Sequence, residues 1–275
     1  MTPDTRSPHA SLDGHLTDRD VRILEDLQRY RLLTTRHLQR LHFAATPFGS
    51  HTSVPGATRA TTRVLGRLET RGAIVRLQRR IGGVKHGSAL TVWQLGPAGD
   101  RYLRARSGDT TRRRYLEPSR TFLAHTLAVA DVAVLLLERS SARHFDLLEL
   151  EPEPECWRPF TGAGGEQISL KPDLLAVTAD PSTETHSFVE VDRATEHLPK
   201  IIRKCLVYQR YHDTGIEQQR RGVFPAVIWI VPDATRAIKI RDAIAGDARL
   251  DAGLFWTITP DQTLAHLAPY PAPTI

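Results

Sequence analysis

Lys171-Pro172-Asp173-Leu174-Leu175 and Phe188-Val189-Glu190-Val191-Asp192 decide how this chain is read. Each sets carboxylates inside an apolar, β-branched run of the kind that forms a buried strand. An ionised side chain in such a run is costly unless something pairs with it, so its presence needs a reason. Asp173 and Glu190 lie 17 positions apart, enough for two short strands and a turn, and adjacent pairing brings both side chains to one point. Carboxylate oxygens gathered there suit a hard divalent cation, Mg²⁺ or Mn²⁺, and make Asp173, Glu190 and Asp192 the candidate metal ligands.

The surrounding sequence extends these strands into an α/β core over residues 121–275. The periodicity predicts a helix over 121–139, a strand over 145–150, a Pro-rich acidic loop over 151–159, and strands over 168–178 and 187–192. A helix over 195–212, a strand over 223–231, a helix over 234–245 and a strand over 254–258 complete it. The three successive strands read as a meander, and the strand-helix-strand crossover adds a parallel partner. Lys200 and Lys204 are four apart on one face of the predicted helix, from which a lysine can lean over the strand ends.

Residues 16–105 read differently. Thr17 and Asp20 have the spacing of a capping box, ahead of Val21, Leu24 and Leu27 at helical intervals, and a second helix starts at Thr34 or Thr35. Residues 44–57, with Pro47, Gly49, Pro55 and Gly56, read as a loop. A third helix over 58–72 turns Ala60, Val64, Leu65 and Leu68 inward, sets Arg59, Thr62, Arg63 and Arg67 on the opposite face, and stops at Gly72. Two strands, 73–80 and 89–95, flank a basic, Gly-rich tip that includes Lys85, with Arg79 and Arg80 at its edge, and a short helix follows Gly96-Pro97. Three helices and a basic-tipped hairpin make the winged helix-turn-helix arrangement. Its candidate DNA-binding residues are Arg59, Thr62, Arg63, Arg67, Arg79, Arg80 and Lys85, and its expected partner is double-stranded DNA.

Charge divides along the same line. Residues 1–120 hold 22 Lys and Arg against 10 Asp and Glu, an excess of +12, whereas residues 121–275 hold 15 against 21. A basic segment joined to an acidic one suits a polyanion-binding module attached to a unit with another task. Residues 1–15 read as a disordered lead and 106–120 as a basic linker, giving an α+β two-domain chain. Cys156 and Cys205 have no CxxC or Cys/His spacing, so a zinc site or a disulfide framework is not expected. No apolar run of membrane-spanning length and no signal-peptide layout is read, so a cytoplasmic protein without membrane attachment is expected, with a homodimer allowed.

Pro172-Asp173 with Glu190-Val191-Asp192, in this element order, resembles the PD-(D/E)XK nuclease-like superfamily. In that superfamily the Asp and Glu hold the metal and a following Lys stabilises charge on the phosphate; here Asp192 stands at the Lys position, and Lys204 is the substitute candidate. The wider pattern is similar to the replication-relaxation family of plasmids and other mobile elements. It comprises Leu16-Thr17-Asp18-Arg19-Asp20, His125, Lys171-Pro172-Asp173, Glu190-Val191-Asp192-Arg193-Ala194-Thr195-Glu196 and Lys204-Cys205-Leu206-Val207-Tyr208. The resemblance implies a DNA-binding protein in plasmid replication, DNA relaxation or its regulation. The alternatives are a metal-dependent endonuclease or nickase using Asp173, Glu190, Asp192 and Lys204, a winged-helix transcription regulator, and a protein-interaction scaffold.

Overall fold

The computed structural model describes residues 12, 14–46, 49–77, 91–110 and 118–268. The chain divides into two compact units, Met1–Val134 and Leu135–Ile275.

In the first unit α1 (Asp18–Tyr30) begins with the expected capping box: the Asp20 N–H donates to the Thr17 hydroxyl and the Thr17 N–H to the Asp20 carboxylate. A second box, Thr34 with His37, joins β1 (Leu33–Thr34) to α2 (Thr35–His42). Next comes α3, Val54–Thr70, four residues longer at its start than the sequence suggests. Pro55 and Gly56 look like breakers, but a proline in the first turn forfeits only an N–H that the helix does not use, and Ser53 caps the end through the Gly56 N–H. Its inner face is Ala57, Thr61, Leu65 and Leu68; Ala60 and Val64, expected inside, are half-buried at the flank.

Gly72 ends α3 in the left-handed region, at φ 65°, with the Ala73 N–H donating to the Leu68 carbonyl and the Gly72 N–H to that of Glu69. β2 (Ile74–Arg76) and β3 (Val92–Leu95) then pair antiparallel, and β1 adds to the other side of β3 in the order β1-β3-β2. Of the connection between β2 and β3, residues 78–90, with Arg79, Arg80 and Lys85, lie outside the described residues. α4 (Pro97–Ser107) packs its first turn directly on backbone, since a Cβ at Gly99 would stand 2.3 Å from the Ala73 carbonyl oxygen.

The division between units falls inside α5, Arg120–Ser141, and not at residue 120. Leu123 and Leu127 close a small core with Leu32, Leu77 and Val92, so the start of this helix belongs with the first unit. His37 donates from Nε2 to Asp131 of α5 at 2.7 Å, since its Nδ1 already accepts from Thr34. By length and composition α5 is apolar enough to cross a membrane, which the sequence reading did not anticipate. Its buried Leu123, Leu127, Val129, Val132, Val134 and Leu136 account for that apolarity by packing inside the protein.

The second unit is built on a five-stranded mixed sheet in the order β10-β9-β8-β7-β4. β4 (Asp146–Pro152), β7 (Leu174–Ala179) and β8 (Glu184–Val191) form the expected antiparallel meander. The acidic loop foreseen at 151–159 instead contains the end of β4 and the start of a separate hairpin, β5 (Arg158–Thr161) with β6 (Gln167–Leu170). The single strand foreseen over 168–178 splits into β6 and β7 at Lys171-Pro172-Asp173, where proline removes a ladder donor. After α6 (Leu198–Asp213) and α7 (Ile216–Arg221), β9 (Ala226–Ile230) joins β8 in parallel. α8 (Ala234–Ala245) then leads to β10 (Phe255–Ile258), parallel to β9, and α9 (Thr263–Leu267) follows. Phe188, Ile201, Cys205, Tyr208, Trp229 and Ile240 form the centre of the core between the sheet and α6 and α8.

Leu123→Ala should cost about 2–4 kcal/mol by opening a cavity beside Leu32 and Val92. Leu148→Ala, at an exposed position on β4, should stay within about 0.5 kcal/mol. Urea unfolding of the full chain measures both.

Candidate functional site

The β7–β8 register pairs Leu174 with Val189 and Leu175 with Phe188, so Asp173 continues the ladder opposite Glu190. The Asp173 N–H donates to the Val189 carbonyl at 3.1 Å. Side chains alternate across a sheet, and Asp173, Leu175, Phe188, Glu190 and Asp192 therefore share the face covered by α6. Two carboxylates are thus brought together at one end of the meander, beneath a helix.

Glu190 is 1% exposed. Its Oε2 accepts from the Lys204 ammonium and its Oε1 from the Tyr208 hydroxyl at 2.5 Å, both donors coming from one face of α6 at i and i+4. Asp173 accepts the Val191 N–H at Oδ2, 2.8 Å away, while its Oδ1 lies 3.9 Å from Lys204 Nζ. One ammonium consequently faces two carboxylates, with the Trp229 ring 5.9 Å from it. Burial pushes the Glu190 carboxyl up to about 8; Lys204 opposes the shift and Asp173 adds to it. For Lys204 burial pulls the other way, but Glu190 and then Asp173 outweigh it and hold the amine above its ordinary value. Burial raises the Tyr208 phenol well above its usual range, with Glu190 reinforcing it, so this buried hydroxyl is a hydrogen-bond donor and no nucleophile. Cys156 and Cys205 are free, buried thiols, the latter pushed up to about 12 by burial and by Glu190.

Asp192 does not join this group. Its Oδ1 accepts the Ala194 N–H at 3.0 Å and its Oδ2 accepts Arg236 Nε at 2.6 Å, both interactions at the end of β8. Among the described residues no group of three or more His, Cys, Asp or Glu side chains is arranged to hold a metal ion. The set Asp173, Glu190 and Asp192 read from the sequence is therefore not assembled; Asp173, Glu190 and Lys204 are. The reason is geometric, because position 192 has passed the last sheet pairing of β8 and its carboxylate serves the turn that follows. Lys200, the other lysine considered, is exposed and pairs with Glu196.

On α3 the arginine stripe divides. Arg59, Thr62 and Arg63 are exposed, and among the described residues no ion pair engages either arginine. Arg67, also exposed along its length, reaches back to α1, with Nη2 at 2.6 and 2.7 Å from the two oxygens of Asp20, a carboxylate that is fully buried. Arg67 therefore ties α3 to the start of α1.

With this geometry in view, the chain was compared with known proteins. The sequence profile of the replication-relaxation family matches residues 24–227. The chain belongs to the replication-relaxation family. The matched segment takes in α3, Asp173, Glu190, Asp192 and Lys204, so both candidate surfaces of this replication-relaxation protein lie within it. Membership supports a role in replication or relaxation of a plasmid or other mobile element. No curated protein and no solved structure matches the chain.

Two participants were not singled out in the sequence of this replication-relaxation protein. Tyr208 appeared only inside the family-like string, and Arg236 not at all. The available signal was the surplus of buried acids, since each needs a cation or donor from a neighbouring helix.

The pH dependence of Lys204→Met follows from the raised Glu190 value. Near pH 6 folded Glu190 keeps its proton with or without Lys204, whereas at pH 9 the unaltered protein holds Glu190 ionised against Lys204 and the variant cannot. Lys204 itself stays charged across this window. Urea unfolding should show a loss of about 3 kcal/mol at pH 9 and clearly less at pH 6. An equal loss at both would contradict the assignment.

Proposed function

We propose that this protein binds duplex DNA through its first unit, in the service of replication or relaxation of a mobile element, and that this unit is a winged helix-turn-helix. The observation that carries the reading is the exposed face of α3, where Arg59 and Arg63 enter no ion pair among the described residues; Thr62 between them is also exposed, its hydroxyl donating to the Thr58 carbonyl one turn back. The basic excess of residues 1–120 and the pairing of β2 with β3 support it. α3 enters the major groove, Arg59 and Arg63 meet phosphates or guanine edges, and Thr62 lies between them. Arg79, Arg80 and Lys85 complete the contact from the connection between β2 and β3. Arg67 is omitted from the DNA-facing set, because leaving Asp20 would strand a buried carboxylate.

Fluorescence anisotropy across a salt series tests this. Arg59→Ala and Arg63→Ala should each weaken duplex binding and lower the slope of log K against log salt by about one, with folding stability within about 0.5 kcal/mol of the parent. Arg67→Ala should instead cost about 1–3 kcal/mol of stability. Binding that ignores salt overturns the reading.

A second reading, a metal-dependent endonuclease or nickase, is favoured by the meeting of Asp173, Glu190 and Lys204. The meander, helix and parallel strand of the second unit are compatible with a PD-(D/E)XK-type core. In that case the lysine comes from α6 and not from position 192. Asp173 and Glu190 would hold Mg²⁺ or Mn²⁺, which polarises a phosphodiester when bound. Lys204 is then the group that offsets charge on the phosphate. Supercoiled plasmid should be nicked in Mg²⁺ or Mn²⁺ and left intact by Asp173→Ala; equal nicking by both proteins sinks the reading.

A further inference from the structure

The segment 192–197 joins the end of β8 to the start of α6, and it is held more firmly than a short loop requires. Asp192, 6% exposed, accepts the Ala194 N–H two residues on, closing an Asx-type turn. Ala194 sits at φ 55°, in the left-handed region that a residue with a Cβ avoids unless its surroundings impose it. The constraint comes from outside the loop. Arg236, in the first turn of α8, donates Nε to Asp192 at 2.6 Å and Nη2 to the Glu196 carbonyl at 2.6 Å, gripping both ends of the segment with one planar fork. Arg236 is itself oriented by its helix, since its N–H donates to the capping Asp233 at 2.8 Å. α6 begins immediately after Glu196, with His197 as its first cap.

A helix held only by apolar packing can slide or turn by a fraction of a residue at little cost, whereas Lys204 must meet Glu190 closely. Ile201, Cys205 and Tyr208 set how deeply α6 packs on the sheet. The segment 192–197 sets where along its axis the helix starts. We infer that Arg236 is the positioning residue for Lys204: by bonding Asp192 and the Glu196 carbonyl together it fixes the start of α6, and so holds the Lys204 ammonium against Glu190 and beside Asp173. An acid at position 192 is then the counterpart of a lysine carried by α6, because a lysine at 192 could accept neither the Ala194 N–H nor the Arg236 guanidinium. Arg236 lies beyond the residues that the family profile matches. The inference concerns the placement of Lys204, and its bearing on chemistry rests on the nuclease-type reading of the site.

Acetylation of the full-length protein by acetic anhydride, followed by peptide mass spectrometry, reads the position of Lys204 directly. Lys239, exposed on α8, is the internal reference. In the unaltered protein Lys204 should react slowly relative to Lys239. In Arg236→Met its relative rate should rise about tenfold or more, the factor that loss of a charge-assisted hydrogen bond gives to a local opening. Arg236→Lys, which can reach only one of the two acceptors, should fall between, and Asp192→Asn, which keeps an acceptor for Ala194 but no charge for Arg236, should also accelerate labelling. Unchanged Lys204 labelling in a cooperatively folded Arg236→Met protein overturns the inference. Should Arg236→Met fail to fold, unchanged labelling in both Arg236→Lys and Asp192→Asn does the same. Labelling uses neither DNA nor a divalent cation, so a failure here leaves the nuclease reading standing. Absence of plasmid nicking by the unaltered protein removes that reading and leaves the positioning role intact.

Discussion

A carboxylate buried in the middle strand of a five-stranded sheet has to be answered by donors, and the second unit is organised around answering Glu190. Its two oxygens receive an ammonium and a phenol from the same face of α6, which fixes the side of the sheet that α6 covers and the turn of helix that crosses β8. Asp173 enters the same space from the residue just before β7, held by a backbone N–H of β8, so removal of any one member would leave another polar group buried without its partner. Packing of Phe188, Ile201 and Tyr208 supplies the bulk of the attraction, and the polar contacts select one arrangement among those the apolar faces would allow.

The first unit solves a similar problem at the opposite electrical extreme. It carries a large excess of arginine, yet one of its fully buried groups is an acid, Asp20, at the positive end of α1, where the helix dipole and the Thr17 N–H favour a negative charge. Arg67 completes that site. An arginine stripe at intervals of four is therefore two things at once: Arg59 and Arg63 face outward, and the last arginine bolts α3 to α1 so that the other two are carried by a rigid helix. Spacing alone assigns all three to one outer face; the buried carboxylate separates them.

Local devices were legible wherever a few neighbouring residues suffice. The Thr17–Asp20 capping box, the stop at Gly72 and the meander containing both acidic strands follow from side-chain chemistry and periodicity over short windows. The misreadings arose where a local signal has two physical outcomes. Pro55 can break a helix or open one, and here it opens α3. Pro172 sits in a run that looks continuous, and the missing N–H divides it between β6 and β7. The apolar stretch of α5 has a composition that suits a membrane as well as a core, and half of it is buried inside the protein. α7, rich in charge and short, gave no apolar rhythm; Glu217 within it is buried between Arg158, Tyr211 and Arg221, which no local pattern announces.

By itself the sequence determined the two-part, α+β character of the chain, its family, its charge asymmetry, and the fact that Asp173 and Glu190 meet, because alternation and adjacent strand pairing act within about twenty residues. What only the tertiary structure decided is the partner of each acid. Asp192 goes to Arg236, 44 residues away, Glu190 to Lys204 and Tyr208, and Asp20 to Arg67, 47 residues away. The physical reason is that charge pairing is set by which helix faces are pressed against the sheet or against each other. That is a property of the folded core, and it leaves no periodic trace at the positions concerned.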